Sequence, residues 1–168
     1  MTRSAPVTFL ATLVALLVAV VALAGCGGGG SASPTPPKTA GGRAATLGVG
    51  SVGLGKILVD SLAHTLYLFK KDSGTTSSCF GACAANWPPL RASGTPTVGS
   101  GAKASLIATT MRSDGKTQVT YNGHPLYMFS GDEKAGDTKG EGVNAFGGNW
   151  YVVDPSGNKI VISTSTGY

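Results

Sequence analysis

His64-Thr65-Leu66-Tyr67-Leu68-Phe69-Lys70-Lys71-Asp72 recurs as His124-Pro125-Leu126-Tyr127-Met128-Phe129-Ser130-Gly131-Asp132. Both stretches read His-x-x-Tyr-x-Phe-x-x-Asp, with matching positions 60 residues apart. The period inside each is two, so Leu66 and Leu68 face one side of a strand while Tyr67 and Phe69 face the other. Leu126 and Met128 stand opposite Tyr127 and Phe129 in the same way. Apolar residues on both faces describe a strand covered on both sides. The chain therefore reads as two copies of one β unit that bury each other.

Outward from these strands the pattern repeats. Ile57 to Asp60 is a short apolar run, and Ser61 to His64 a turn. Thr117 to Tyr121 is a strand closed by Asn122-Gly123, a strong tight-turn pair. Pro125 has no amide hydrogen, so it belongs at a strand start or on an edge. Each Asp is followed by a long Gly-rich loop and an Asn-Trp pair, Asn86-Trp87 and Asn149-Trp150. Further strands are expected at Trp87 to Leu90, Leu106 to Arg112, Trp150 to Asp154 and Lys159 to Ser163. Turns are expected at Ser113-Asp114-Gly115-Lys116 and Pro155-Ser156-Gly157-Asn158. This predicts an all-β domain of two tandem four-stranded antiparallel repeats, about 53–113 and 116–164. They would be packed as a sandwich or closed into a barrel across residues 47–168, because neither sheet covers its own apolar face.

The 168 residues suit one such domain plus tails, and 26 glycines favour turns over long helices. The formal net charge is +5, with 13 Lys and Arg against 8 Asp and Glu. The basic residues are scattered, and Lys70-Lys71 is the one adjacent pair. That excludes the clustered basic footprint of a nucleic-acid binder. At the start, Arg3 precedes an apolar run from Val7 to Leu23, long enough nearly to span a bilayer as an uncleaved helix. Leu23-Ala24-Gly25-Cys26 argues instead for a lipoprotein signal over 1–25, cut before a lipidated Cys26. Acyl chains such as palmitate on Cys26 would anchor the protein to the cell membrane, facing outward. Residues 26–46 then form a Gly, Ser and Pro-rich disordered tether. Its Gly27 to Ala45 portion reaches roughly 25 Å.

Candidate site residues come from the repeats. Tyr67, Phe69, Tyr127 and Phe129, with Trp87 and Trp150, read as core aromatics or as a surface able to stack a flat ligand. Asp72 and Asp132 each precede a Gly-rich loop, where an Asp holds a turn through backbone amides or, alternatively, binds a cation. The acidic series Asp132, Glu133, Asp137 and Glu141 lacks the spacing of a calcium loop. His64 and His124 are the only histidines. Related by the repeat, they could meet near an axis and hold a transition metal or haem iron, or they serve turn and core roles. With Cys26 acylated, Cys79 and Cys83 remain as an even pair in an exported chain. They read as a local disulfide across one helical turn or tight loop; a redox-active pair would more often be spaced C-x-x-C. No Ser with a His and an acid arranged around it is recognisable.

The two Tyr-x-Phe-x-x-Asp segments resemble the Tyr-x-aromatic-x-x-Asp motif of a family of predicted bacterial lipoproteins carrying a secreted repeat of unknown function. Cys79-x3-Cys83 followed by Trp87-Pro88-Pro89-Leu90 resembles that family's first-copy loop. The likeness covers about Gly53 to Ser163. It implies an exported two-repeat organisation and supplies no reaction. The second copy departs from it, lacking cysteines and carrying Trp150-Tyr151 in place of Trp-Pro-Pro. The leading functional reading is a non-catalytic, membrane-anchored module binding an unknown small molecule or envelope protein, with no cofactor. The alternatives are a metal or haem electron-transfer protein using His64 and His124, and a thiol redox protein using Cys79 and Cys83.

Overall fold

The computed structural model describes residues 44–162, all within one compact unit, Lys38–Tyr168. The expected signal segment, Cys26, the expected tether up to residue 43 and residues 163–168 lie outside the described residues. No described helix is long and apolar enough to cross a membrane.

Nine strands occur among the described residues. β1 (Thr46–Val52) and β2 (Gly55–Asp60) form a hairpin. β3 (Tyr67–Phe69) carries the first motif. After it come a short helix, α1 (Ala82–Asn86), and a two-residue strand, β4 (Thr97–Val98). β5 (Ile107–Met111) and β6 (Thr117–Tyr121) form a second hairpin. β7 (His124–Pro125), β8 (Asn144–Ala145) and β9 (Gly148–Val152) complete the set. They make three three-stranded sheets, ordered β2-β1-β4, β3-β9-β8 and β5-β6-β7.

The protein is thus mostly β, but two four-stranded sheets stacked as a sandwich or closed as a barrel are not what forms. Among the described residues no barrel closes. The physical reason is exchange between repeats. β3, from the first repeat, pairs with β9, from the second, in the register Leu68↔Tyr151 and Phe69↔Trp150. Reciprocally, the first repeat's Trp87–Leu90 segment runs beside the second motif: Met128 N–H donates to Pro88 O at 2.9 Å and Leu90 N–H to Leu126 O at 2.9 Å. The two motifs also meet each other. Tyr67 N–H donates to Tyr127 O at 2.8 Å, and Tyr127 N–H to Tyr67 O at 3.0 Å. A residue paired with its own repeat equivalent places a local pseudo-twofold axis between the two tyrosines. The same symmetry relates Leu58 N–H to Val153 O with Val119 N–H to Leu90 O, both at 2.8 Å.

The alternation in the motifs sorts the core into two halves. Tyr67, Phe69 and Tyr127 pack with Trp87, Trp150, Ile57 and the two cysteines. Leu66, Leu68 and Leu126 pack on the other side with Leu47, Leu90, Val119 and Val153. The turns follow the sequence signals. Asn122 and Gly123 have φ 49° and 77°, the two positive angles a tight hairpin requires. Arg112 N–H donates to Lys116 O across the Ser113–Gly115 turn. Several expected strands are shorter than read. Of the expected Lys159 to Ser163 strand, the described residues 159–162 keep one bridge, Val153↔Lys159, and the Trp87 to Leu90 segment has one at Pro89↔Tyr127. β1 is an addition: its alternating Gly48 and Gly50 are poor strand formers in isolation. Both lie over Val59, where a Cβ at Gly50 would come within 3.1 Å of Val59 Cγ1.

Candidate functional site

The motif residues converge at the pseudo-twofold axis. Each tyrosine reaches the aspartate of the other repeat. Tyr67 Oη donates to Asp132 Oδ2 at 2.7 Å, and Tyr127 Oη donates to Asp72 Oδ2 at 2.7 Å. The remaining carboxylate oxygens hold the loops that follow. Asp72 Oδ1 accepts from the Ser78 amide and hydroxyl, both at 2.8 Å, and Asp132 Oδ1 accepts from the Lys139 amide at 3.0 Å. Each aspartate thus accepts a backbone amide from the loop that follows it. Their cross-repeat bond to tyrosine was not foreseen, because a linear motif does not say which copy's Tyr meets which copy's Asp.

Burial raises both carboxyl pKa values above 3.8, opposed at Asp72 mainly by the Ser78 amide and at Asp132 mainly by the Tyr67 hydroxyl. Desolvation, helped by the neighbouring carboxylates, pushes both tyrosines far above the ordinary phenol range. The phenols are held as hydrogen-bond donors throughout the physiological range.

Between the two pairs lies a stack of rings. Phe69 lies parallel to Trp150 with centroids 4.0 Å apart, Trp150 lies parallel to Trp87 at 4.0 Å, and Trp87 stacks on Phe129 at 4.2 Å with a tilt of 26°. Tyr67 meets Trp87 edge-on at 5.4 Å, and Tyr127 meets Trp150 edge-on at 5.1 Å. Such pairs each add about 0.5–1.5 kcal/mol beyond area burial. Tyr67, Phe69, Trp87, Tyr127 and Trp150 are buried, while Phe129 is partly exposed at the small cavity beside His64.

A polar cluster around Arg112 supports the Tyr127 end. Arg112 is 3% exposed. Its Nη1 donates to Ser77 Oγ at 2.8 Å and to Gln118 Oε1 at 2.7 Å, and Nη2 donates to Cys79 O at 2.7 Å. Ser77 Oγ is also 2.8 Å from Tyr127 Oη, and Gln118 Nε2 donates to Leu126 O. Sequence reading missed Arg112, Ser77 and Gln118. Gln118 lies in β6, whose Thr-Gln-Val-Thr-Tyr sequence mixes polar and apolar residues and gave no signal that Gln118 is fully buried. Cys79 and Cys83 are disulfide-bonded, with Cys83 inside α1.

The two histidines are not brought together by any described contact. His64 Nδ1 bonds Asp60 Oδ2 at 3.0 Å, while Asp60 Oδ1 accepts the Leu62 and His64 amides. His64 lines a small cavity of about 200 Å³ with Thr65, Pro88, Met128, Phe129 and Asp132. His124 lies in β7 near Lys70 and Asp72; desolvation first, then Lys70, lowers its pKa below 6.5. Among the described residues no cluster of three or more His, Cys, Asp or Glu is placed to hold a metal ion. The larger concavity, about 1090 Å³, is an open groove between the Ala92–Val98 segment and β5, lined in part by Pro96, Val98, Ala104, Ile107 and Thr109.

A family model described as a secreted repeat of unknown function matches residues 48–91 and 108–154. The chain belongs to that family, and carries two copies of its repeat. The C-terminal end of each matched segment, around Trp87–Leu90 and Trp150–Val153, is the part handed to the other copy. No curated protein and no solved structure matches the chain.

Proposed function

We infer that the protein is an extracytoplasmic lipoprotein, held to the membrane through Cys26, whose two-repeat domain is a binding or interaction module without catalysis. The observation that carries this reading is where the repeated polar groups point. Tyr67, Tyr127, Asp72 and Asp132, the residues that define the motif, satisfy one another inside the domain. They act as a clasp between copies, which leaves recognition to the outer surface. The open groove beside β5 is the candidate face. Its lining is Ala, Gly, Pro, Ser, Thr, Val and Ile with no charged side chain, which suits an uncharged or apolar ligand. Among the described residues β5 is an edge strand, paired with β6 on one side only, so an extended segment of a partner could pair there. The thiol alternative is disfavoured by burial: Cys79 is 0% and Cys83 6% exposed, and exchange requires attack by an outside thiolate.

Two measurements test it. In a lipoprotein-processing bacterium, labelled palmitate should enter the full chain and vanish with Cys26→Ala, which should release the protein from the membrane fraction. A photo-crosslinker at Thr109, in the groove, should give a defined adduct on intact cells that one at Ser156 does not. Unchanged membrane retention of Cys26→Ala would overturn the anchor, and identical adduct patterns at both positions would overturn the groove.

A further inference from the structure

Four oxidisable rings run in a line through the interface. Tyr67 touches Trp87, Trp87 stacks on Trp150, and Trp150 touches Tyr127, with centroid steps of 5.4, 4.0 and 5.1 Å. All four are at most 1% exposed. At both ends the phenol O–H donates to a carboxylate oxygen at 2.7 Å. Phe69 and Phe129, much harder to oxidise, cover the outer faces of the two indoles.

Packing accounts for the rings, and the clasp between copies accounts for the hydroxyls as hydrogen-bond donors. The same hydroxyl–carboxylate pairs, set at both ends of a line of touching oxidisable rings, have a further chemical property. A tyrosine gives up an electron readily when its proton leaves in the same step, and a hydrogen-bonded carboxylate is the base that takes it. An indole passes a positive hole onward without needing such a base. Burial strengthens Asp72 and Asp132 as proton acceptors. Access from outside exists as well. Phe129, against Trp87, lines the small cavity at His64.

We propose that Tyr67, Trp87, Trp150 and Tyr127 form a one-electron relay across the repeat interface, which holds an oxidising equivalent as a neutral tyrosyl radical at either end. The co-reactant is an outer-sphere one-electron oxidant. It removes one electron from Trp87 or Trp150, leaving an indole radical cation. Tyr67 then passes an electron to that indole and its hydroxyl proton to Asp132, giving a neutral tyrosyl radical, a protonated carboxyl and a restored indole. Tyr127 and Asp72 perform the same step at the other end. A one-electron donor of the quinol class reverses it, the proton returning from the carboxyl to the phenolate oxygen. The disulfide takes no part.

The test is flash oxidation of the full chain by photogenerated ruthenium(III) tris-bipyridine, followed by transient absorption and electron paramagnetic resonance. The wild type should show a tryptophan radical decaying into a neutral tyrosyl radical, more slowly in heavy water. Tyr67→Phe or Tyr127→Phe alone should leave one tyrosyl species, and the pair together should leave the tryptophan radical to persist. Asp72→Asn with Asp132→Asn keeps both phenols but removes their base, so the tyrosyl yield should fall. Tyr151→Phe, outside the line, should change nothing. A tyrosyl yield that survives intact in the double phenylalanine variant, or is indifferent to the asparagine pair, overturns the relay. The near-ultraviolet circular dichroism of the stacked indoles reports whether each variant is folded; if a double variant is not, the two single phenylalanine variants decide. A tyrosyl signal unchanged in amplitude and kinetics in both singles also overturns it.

Discussion

At the scale of single residues, the clasp at the axis makes the sharpest predictions. Tyr67→Phe leaves Asp132 Oδ2 and the Gly140 amide without their phenolic oxygen partner. Tyr127→Phe does the same to Asp72 Oδ2 and Ser77 Oγ. Each should lower unfolding stability by about 1–3 kcal/mol, the usual penalty for stranding a buried polar group. In paired double-mutant cycles Tyr67 should couple to Asp132 and not to Asp72, although Asp72 is the nearer in sequence; denaturant melts of the three single and two double variants beside the wild type measure this.

The pH dependence also belongs to single groups. Asp72 and Asp132 bind their protons more tightly folded than unfolded, where the value is 3.8. Folding therefore takes up protons just above pH 3.8. The stability from these two groups is fully present below 3.8 and declines as pH rises through their folded values. His124 runs the other way. Its folded value lies below 6.5, so stability rises with pH up to about 6.5 and is lost as the imidazole is forced to charge below that. Thermal melts across pH 3–7 should show the slope below 6.5 reduced in His124→Asn, and the acid-side gain removed in Asp72→Asn with Asp132→Asn.

At the scale of elements, the β5–β6 hairpin is tied to the disulfide loop by Arg112 rather than by apolar contact. Its guanidinium forks between Ser77, Gln118 and Cys79 O and lies 4.5 Å from the Phe80 ring centre. Arg112→Ala should cost about 1–3 kcal/mol for each buried polar partner left without a donor, since Ser77, Gln118 and Cys79 O all lose it. Arg112→Lys should rescue little, since an ammonium cannot span the fork; chemical denaturation of both variants checks this. The loop after Asp132 depends on closeness instead. A Cβ at Gly140 would sit 2.7 Å from Trp87 and 2.8 Å from Tyr67. Gly140→Ala should therefore lose about 1–3 kcal/mol through overpacking and alter the near-ultraviolet signal of the stacked indoles. These elements also show what the sequence could disclose. The period of two in both motifs correctly assigned Leu66, Leu68 and Leu126 to one half of the core and Tyr67, Phe69 and Tyr127 to the other. Asn122-Gly123 announced its hairpin through chemistry local to two residues. Arg112 could not be found that way, because its partners lie 6, 33 and 35 residues distant in the chain. The Tyr–Asp pairs were invisible for the same reason: a duplicated motif is equally consistent with bonds inside a copy and bonds between copies.

For the whole molecule, exchange between repeats makes folding a joint property of both. The first repeat's β3 has the second repeat's β9 as its ladder partner. The second motif has the first repeat's Pro88 and Leu90 as its own. The indole stack takes Trp87 from one copy and Trp150 from the other. A single repeat therefore lacks both a strand beside its motif and half of its aromatic core, and a chain of that size has little apolar surface to substitute for them. Two β sheets merely stacked face to face would each retain their backbone pairing when separated; interleaved copies would not. Fragments 44–113 and 114–162 expressed singly should each show no cooperative melt. Expressed together they should associate into one folded species whose melting temperature rises with concentration, because joining is now bimolecular. A second copy of either repeat could also satisfy the pseudo-twofold, so homodimers are the competing outcome. Mass measurement of the assembled species distinguishes them. Heterodimers should dominate, because the Arg112 network joins Ser77 and Cys79 O of the first fragment, with Arg112 itself, to Gln118 of the second, and no homodimer of either fragment reproduces it.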